Sequence, residues 1–213
     1  MRIVLALFIV SFAGFLISCE NRTGDQVNIE EVRIGDQVWM AKNYDGVVFR
    51  NGDSIPQARS VEEWVLAGES GKPAWCYYEN DSSYGRKYGR IYNWYAVNDP
   101  RGLCPPGWHV PTNDEWIVME NFLGVSEVGK RLKSDKDSTN NSVNNKFGLL
   151  MGGYRGKEGG FSGVEVFTYL SSSTERDPKE NDIWGRGIHA EENGIMRCGL
   201  FKEHGLYVRG VKD

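Results

Sequence analysis

Few stretches of this chain hold a helical or strand period for long, while glycine and large rings are abundant: 26 Gly, 7 Trp and 10 Tyr among 213 residues. Glycine supplies the left-handed and close-approach conformations that tight turns need, and rings bury much apolar area per residue. Such a chain is expected to be loop-dense, with short strands, special turns and few helices. One segment departs from that pattern. After His109-Val110-Pro111, Thr112 and Glu115 form a capping box, Trp116, Met119 and Phe122/Leu123 recur at helical spacing, and Gly124 supplies a stop. This predicts a helix over 112–123 with Trp116 as its core anchor.

The first nineteen residues speak to location. Arg2 precedes an apolar run from Ile3 to Leu16, and Leu16-Ile17-Ser18-Cys19 follows. A basic residue, an apolar segment and small residues before a cut form a secretory signal. The cysteine at the cut resembles a bacterial lipobox, whose thiol is diacylated and becomes the mature N-terminus. Residues 1–18 are therefore read as a lipoprotein signal peptide, Cys19 as the lipidation site, 19–28 as a polar spacer and 29–213 as one α+β domain. The expected address is the bacterial envelope, at the outer membrane or cell surface, with the membrane held through acyl chain and not through a span. With 25 basic against 29 acidic residues, net −4, the chain lacks the clustered Lys and Arg that nucleic acid requires.

Within the domain, Val32–Ile34 and Val38–Met40 flank Gly35-Asp36 as a hairpin, and Val61–Ala67 reads as a short helix between Ser60 and Gly68. Trp75–Tyr78 reads as a buried strand and Val128–Leu132 as a helical turn. The polar stretch from Ser126 to Lys146, with its Asn140-Asn141 and Asn144-Asn145 pairs, reads as a surface excursion. Short strands are expected at 164–170, 183–189, 195–201 and 206–212.

Several blocks of the chain occur in the order of a known family. They are Gly35-Asp36-Gln37-Val38-Trp39-Met40-Ala41-Lys42-Asn43, Trp75–Tyr78 followed by Tyr88-Gly89-Arg90-Ile91-Tyr92-Asn93-Trp94, and Cys104-Pro105-Pro106-Gly107-Trp108-His109 through Trp116. Gly152–Arg155 and the closing Val208–Asp213 complete the series. Together they resemble the Fibrobacter succinogenes major paralogous domain, found in exported bacterial proteins. The family carries no established activity. Its Trp-His-containing block is similar to one in formylglycine-generating enzymes, whose fold is related to C-type lectins. The resemblance thus implies a single C-type-lectin-like domain with short strands, few helices and long loops. Two departures stand out: Gly210 replaces the family's closing cysteine, and Ser171-Ser172-Ser173-Thr174-Glu175 lacks its tryptophan.

Besides Cys19 the chain has Cys76, Cys104 and Cys198, an odd set for an exported protein. A hairpin loop at Glu203-His204-Gly205 would pair Lys202 with Leu206 and put Cys198 opposite Gly210. On that register Cys198 stands in for the family's closing cysteine and bonds Cys104. Cys76–Cys104, Cys76–Cys198 and three free thiols are the alternatives.

Catalytic signatures are thin. His109, His189 and His204 are far apart and show no ligand spacing, and His109 reads as a structural histidine bonding backbone. His204 reads as solvated. Ser171–Thr174 lacks a nucleophile elbow, and no cysteine pair suits formylglycine-type oxidation. The acidic stretch containing Glu175, Asp177, Glu180, Asn181 and Asp182 reads as a solvated loop or, more sharply, a calcium site. With Glu191 and Glu192 it is also where a hydrolase's carboxylates would lie. Trp75, Tyr77, Tyr84, Trp94, Tyr154 and Trp184 are candidates for core or for a sugar-stacking platform. The favoured expectation is a non-catalytic recognition domain for glycan or protein without a resident cofactor. A hydrolase and a structural envelope component are the competing readings.

Overall fold

The hairpin expected around Gly35 forms. In the computed structural model, which describes residues 29–133 and 146–213, β1 (Glu31–Ile34) and β2 (Gln37–Met40) pair antiparallel with Ile34 opposite Gln37. The expected signal segment and spacer with Cys19, and the paired asparagines, lie outside the described residues. Strand β2 also pairs with β11 (Val211–Lys212), which pairs with β5 (Trp108–His109), so the opening and closing blocks of the domain share one sheet, ordered β1-β2-β11-β5. A second sheet is built from β6 (Gly152–Arg155), β7 (Phe161–Val164), β8 (Phe167–Asp177), β9 (Asp182–His189) and β10 (Met196–Phe201), in the order β10-β9-β8-β6-β7. A third holds only β3 (Trp75–Cys76) and β4 (Ile91–Tyr92). With five short helices among the described residues, the architecture is mixed α+β.

Helix α4 (Asn113–Leu123) has the predicted capping box: Glu115 N–H donates to Thr112 Oγ1 at 3.2 Å and Thr112 N–H donates to Glu115 Oε2 at 2.8 Å. A further cap comes from outside the helix, because Asn113 N–H donates to Thr174 Oγ1 on β8 at 3.0 Å. The helix buries Trp116, Met119, Glu120 and Leu123, the i, i+3, i+4, i+7 stripe of an amphipathic helix. Leu123 takes the inward place and Phe122 is exposed. The Trp116 ring meets Trp39 of β2 at 4.7 Å between centroids, which joins α4 to the first sheet. Helix α5 occupies Val128–Leu132 as expected, and α1 (Val61–Glu69) starts at its Ser60 cap. It runs past the expected stop: Gly68 stays helical against Glu203, and Gly71, at φ +61°, ends the helix with its N–H donating to the Gly68 carbonyl.

Three strand expectations change. The segment 164–170 is split by a turn at Glu165-Val166, with Glu165 at φ +66° and Val166 N–H donating to the Gly163 carbonyl. Of 206–212, only Val211 and Lys212 join a named strand. Leu206 exchanges backbone hydrogen bonds with Tyr92, while Tyr207 pairs with β8 through Tyr169 and Ser171. The segment therefore crosses between sheets instead of extending one. The hairpin over 203–205 does not form either. Gly205 exchanges two backbone hydrogen bonds with Arg155, and β10 turns back on β9, which sets Cys198 opposite Gly185. At position 210, Met40 fills the space a side chain would need, with Cε 2.6 Å from an ideal Cβ.

Three guanidinium groups are fully enclosed. Arg155 donates to the carbonyls of Gly159 and Ser60, between the rings of Trp64 and Phe161. Arg186 on β9 donates to Glu120 of α4 at 2.5 Å and to the Asn113 carbonyl at the start of that helix. Arg209 donates to Asn43 Oδ1 and to the carbonyls of Met40 and Phe147. Each joins segments distant in sequence. Among the described residues no helix is long and apolar enough to cross a membrane.

Glu120 is wholly buried and also receives Arg197. Deleting one partner of a buried pair strands a charge, which costs about 3–5 kcal/mol, whereas removing both with apolar groups is near neutral. Urea unfolding should therefore show a loss of about that size for Glu120→Ala and recovery of most of it in Glu120→Leu/Arg186→Met. An equal loss in both variants would contradict the assignment of the pair.

Candidate functional site

The opening block, the Tyr88-Gly89-Arg90 block and the closing block converge on one cleft. Backbone bonds from Met40 N–H to the Gly210 carbonyl, 2.9 Å, and from Tyr44 N–H to the Val208 carbonyl, 2.8 Å, run residues 40–44 alongside 208–210. Asn43 then joins both to helix α2 (Ser82–Tyr88). Its amide donates to the Tyr88 carbonyl at 2.8 Å, and its Oδ1 accepts from Arg209 Nε at 2.7 Å. Arg209 Nη1 donates to the Met40 and Phe147 carbonyls at 3.0 and 2.7 Å, and the guanidinium lies 4.4 Å from the Phe147 ring. Arg209 is 2% exposed and borders a cleft of about 340 Å³ also lined by Lys42, Asn43, Arg86, Lys87 and Lys146.

The charge in this cleft is unbalanced. Its two acids, Glu30 and Asp45, are met by Lys42 at 2.6 Å and Arg90 at 3.6 Å, and Lys87 is met by Glu165 at 3.1 Å. Arg86, Lys146 and Arg209 have no carboxylate partner among the described residues. Burial pushes the Arg209 guanidinium down to about 9, with no acid offsetting it, which still leaves it protonated at neutral pH. A buried cation held only by neutral acceptors stays under a desolvation penalty that an incoming anion relieves.

A second hollow, about 500 Å³, shares Lys87, Tyr88 and Leu150 with the first and adds Leu149, Met151 and Ala190. Lys133 also borders it, but its ammonium donates to the carbonyls of His189, Ala190 and Glu192 at 3.2, 2.6 and 2.8 Å. Its three donors are thereby used by the 189–192 loop.

His109 does not bond backbone as expected. Its ring nitrogens face Asp213 Oδ1 at 2.7 Å and Glu115 Oε1 at 2.8 Å. Both nitrogens can donate only in the imidazolium. Burial lowers the pKa of this ring, but the hydrogen bonds and charges of Asp213 and Glu115 outweigh it and hold it above the ordinary 6.5. Glu115 is held below its ordinary range: burial acts upward, and the hydrogen bonds to Thr112 and His109 prevail. Nothing nucleophilic completes the group. It clamps β5, α4 and the end of β11 together. His204 is not solvated: it sits against Tyr154 and Phe201 with its Nδ1 enclosed and unpartnered, and burial lowers its pKa.

Cys76, Cys104 and Cys198 are free thiols in this structure, and the hairpin register that would set Cys198 opposite Gly210 does not form, Cys198 facing Gly185 instead. Burial pushes Cys76 and Cys104 up to about 12 and Cys198 to about 11.

The acidic stretch is bonded within the chain. Glu175 binds Lys202 at 2.8 Å, Asp182 accepts from Arg176 Nε at 2.6 Å and from Asp177 N–H at 3.0 Å, and Asn181 donates to Glu203 at 2.6 Å. Asp177 accepts from Lys179 N–H, and Glu180 is exposed. These groups serve the β8–β9 turn, and among the described residues no three His, Cys, Asp or Glu side chains gather around a common point. Of the cations interleaved with the stretch, only Arg176 pairs with one of its carboxylates; Lys202 reaches Glu175 from beyond β10. The buried carboxylates Glu120 and Asp182 are each held by arginine and border neither hollow.

Ser171 and Ser172 are buried within β8. Ser173 N–H donates to the Pro111 carbonyl, and Thr174 caps α4, so this stretch is structural. The six candidate platform rings pack against neighbours, and Tyr77, Tyr84, Tyr154 and Trp184 remain half-buried. Trp75 and Trp94 are buried, with Arg90 over Trp75 and Lys202 over Trp94. Tyr84 stacks on Tyr88, Tyr77 meets Trp75 edge-on, Tyr154 meets Tyr169 edge-on, and Arg176 approaches Trp184. Arg209, Asn43 and Lys87 went unnoticed as site residues. Arg209 and Asn43 lie in blocks that already stood out, but spacing carries no sign that an arginine will be buried without an acid.

Two outcomes follow. Thiol titration of the native protein at neutral pH should find Cys76, Cys104 and Cys198 slow to react and all three open to reagent after unfolding, whereas a missing pair under denaturant would indicate a disulfide. The His109 contribution to stability is full below pH 6.5 and is lost as pH rises through its raised folded pKa. Glu115 contributes above about pH 4.5 and is lost as pH falls through its lowered one. Denaturant midpoints measured from pH 6 to 9 should therefore decline in the parent and flatten in His109→Asn; an unchanged slope would remove the clamp.

Searches against curated proteins and against solved structures return no match. The sequence model of the Fibrobacter succinogenes major domain matches residues 32–212, which takes in all the named strands and helices except the first residue of β1. The chain therefore belongs to the Fibrobacter succinogenes major domain family.

Proposed function

We propose that this chain is a non-catalytic recognition domain of the bacterial envelope, tethered by lipid on Cys19, that holds an acidic ligand in the cleft bordered by Arg209. The observation that carries the reading is the enclosed guanidinium whose described partners are all neutral, beside Arg86 and Lys146, which meet no acid among the described residues. An acidic glycan, or the acidic group of a protein, satisfies that imbalance through charge-assisted hydrogen bonds. A recognition role agrees with the chemistry of the cleft, which brings together cations and amides and neither a nucleophile with its base nor a pair of free carboxylates. The lipobox supports the tether, and a spacer of some ten residues would hold the domain off the membrane. A C-type-lectin-like arrangement is part of the proposal; the loop-dense α+β architecture and the block around the capped helix support it.

Titration of the purified protein with inorganic phosphate, acetate and glucuronate, followed by calorimetry or amide shifts, tests this. Binding is expected for the acids and not for glucose, weakening with salt and surviving a chelator. Arg86→Gln and Lys146→Gln, both exposed, should each reduce affinity about two- to fivefold, in line with about 0.5–1 kcal/mol per surface charge, without changing stability. Failure of every acid to bind would overturn the reading.

A further inference from the structure

The two adjoining hollows differ in a way that specifies more than charge. In the first, Arg86, Lys146 and Arg209 keep cationic character that no described acid neutralises. In the second, Lys87 is met by Glu165 at 3.1 Å, and the three N–H donors of the Lys133 ammonium are all taken by carbonyls of the 189–192 loop, which leaves its charge in place but no donor free. What remains there is apolar. Leu149 N–H is bonded to the Leu132 carbonyl, which seats Leu149, Leu150 and Met151 along one wall; Leu150 and Met151 are half-buried. Tyr88 and Leu150 border both spaces, so a ligand seated on Arg209 would reach the apolar wall over a shared edge.

Building on the anion reading above, we infer that the ligand is amphipathic, an acidic head at Arg209 carrying an aliphatic body that lies against Leu150 and Met151. The head end is set by free donors: Arg86 and Lys146 have no acid partner among the described residues and Arg209 Nη2 is bonded to none of them, whereas Lys133 has no donor to spare. The body end follows from the second space, where a further acidic group would meet cations already engaged and would lose its hydration. Half-buried apolar side chains gain on being covered, about 0.8 kcal/mol for each methylene taken from water.

The test uses the purified protein and a homologous series of acetate, butanoate, hexanoate and octanoate, each below its micelle-forming concentration, with hexyl phosphate as a second head group. Affinity should rise about fourfold per methylene through the series, the equivalent of about 0.8 kcal/mol each, with an increasingly negative heat-capacity change of binding. Comparison of hexyl phosphate with hexanoate shows which head the arginine prefers. Met151→Gln should flatten the length dependence while leaving acetate affinity unchanged. Acids that bind with no dependence on chain length would overturn this inference and leave the anion reading standing. Length dependence that Met151→Gln does not alter would place the body elsewhere and also overturn it. If no acid binds, both readings fall.

Discussion

Three enclosed arginines hold this structure together. A domain made of short strands and long loops has many backbone carbonyls that no ladder satisfies, and each buried carbonyl without a donor is costly. A guanidinium offers five donors in a rigid plane, so one side chain can satisfy several loops at once. Arg155 ties the 159 turn to the start of α1, Arg186 ties β9 to α4, and Arg209 ties residues 40–43 to 147. Aromatic rings seat them: Trp64 and Phe161 around Arg155, and Phe147 beside Arg209.

The three are not equivalent. Arg186 has Glu120 as a full counter-charge. Arg155 is closed in by rings and carbonyls away from both hollows. Only Arg209 combines burial, neutral described partners and a place on a cleft wall. That combination moves it from structural cross-link to candidate anchor. Asn43 completes the arrangement by using both ends of its amide, one toward Arg209 and one toward Tyr88. The cleft is therefore held by the same bonds that join the opening, middle and closing blocks of the domain.

Local signals read well where a segment's own chemistry decides its shape. The capping box of α4, the Ser60 cap of α1 and the turn at Gly35-Asp36 all appear where the residues place them, because each is settled within a few neighbouring residues. Reasoning that needed partners from elsewhere fared worse. Glu203-His204-Gly205 has hairpin composition, yet Gly205 is claimed by Arg155 and β10 by β9. The acidic run of 175–182 looks ligand-rich, but Arg176 and Lys202 reach two of its carboxylates. Of the aromatic candidates, packing buries Trp75 and Trp94 and leaves Tyr77, Tyr84, Tyr154 and Trp184 half-buried.

What the sequence determined by itself is the set of short-range elements, the family to which 32–212 belongs and the abundance of rings and glycines that makes long helices unnecessary. What only the tertiary structure decided is which polar groups are neutralised. An arginine in a sequence carries one charge wherever it stands, and the partners of the enclosed ones come from far along the chain: Arg186 meets Glu120 at a separation of 66 and Arg209 the Met40 carbonyl at a separation of 169. Burial and distance set that balance, and neither is encoded in local spacing.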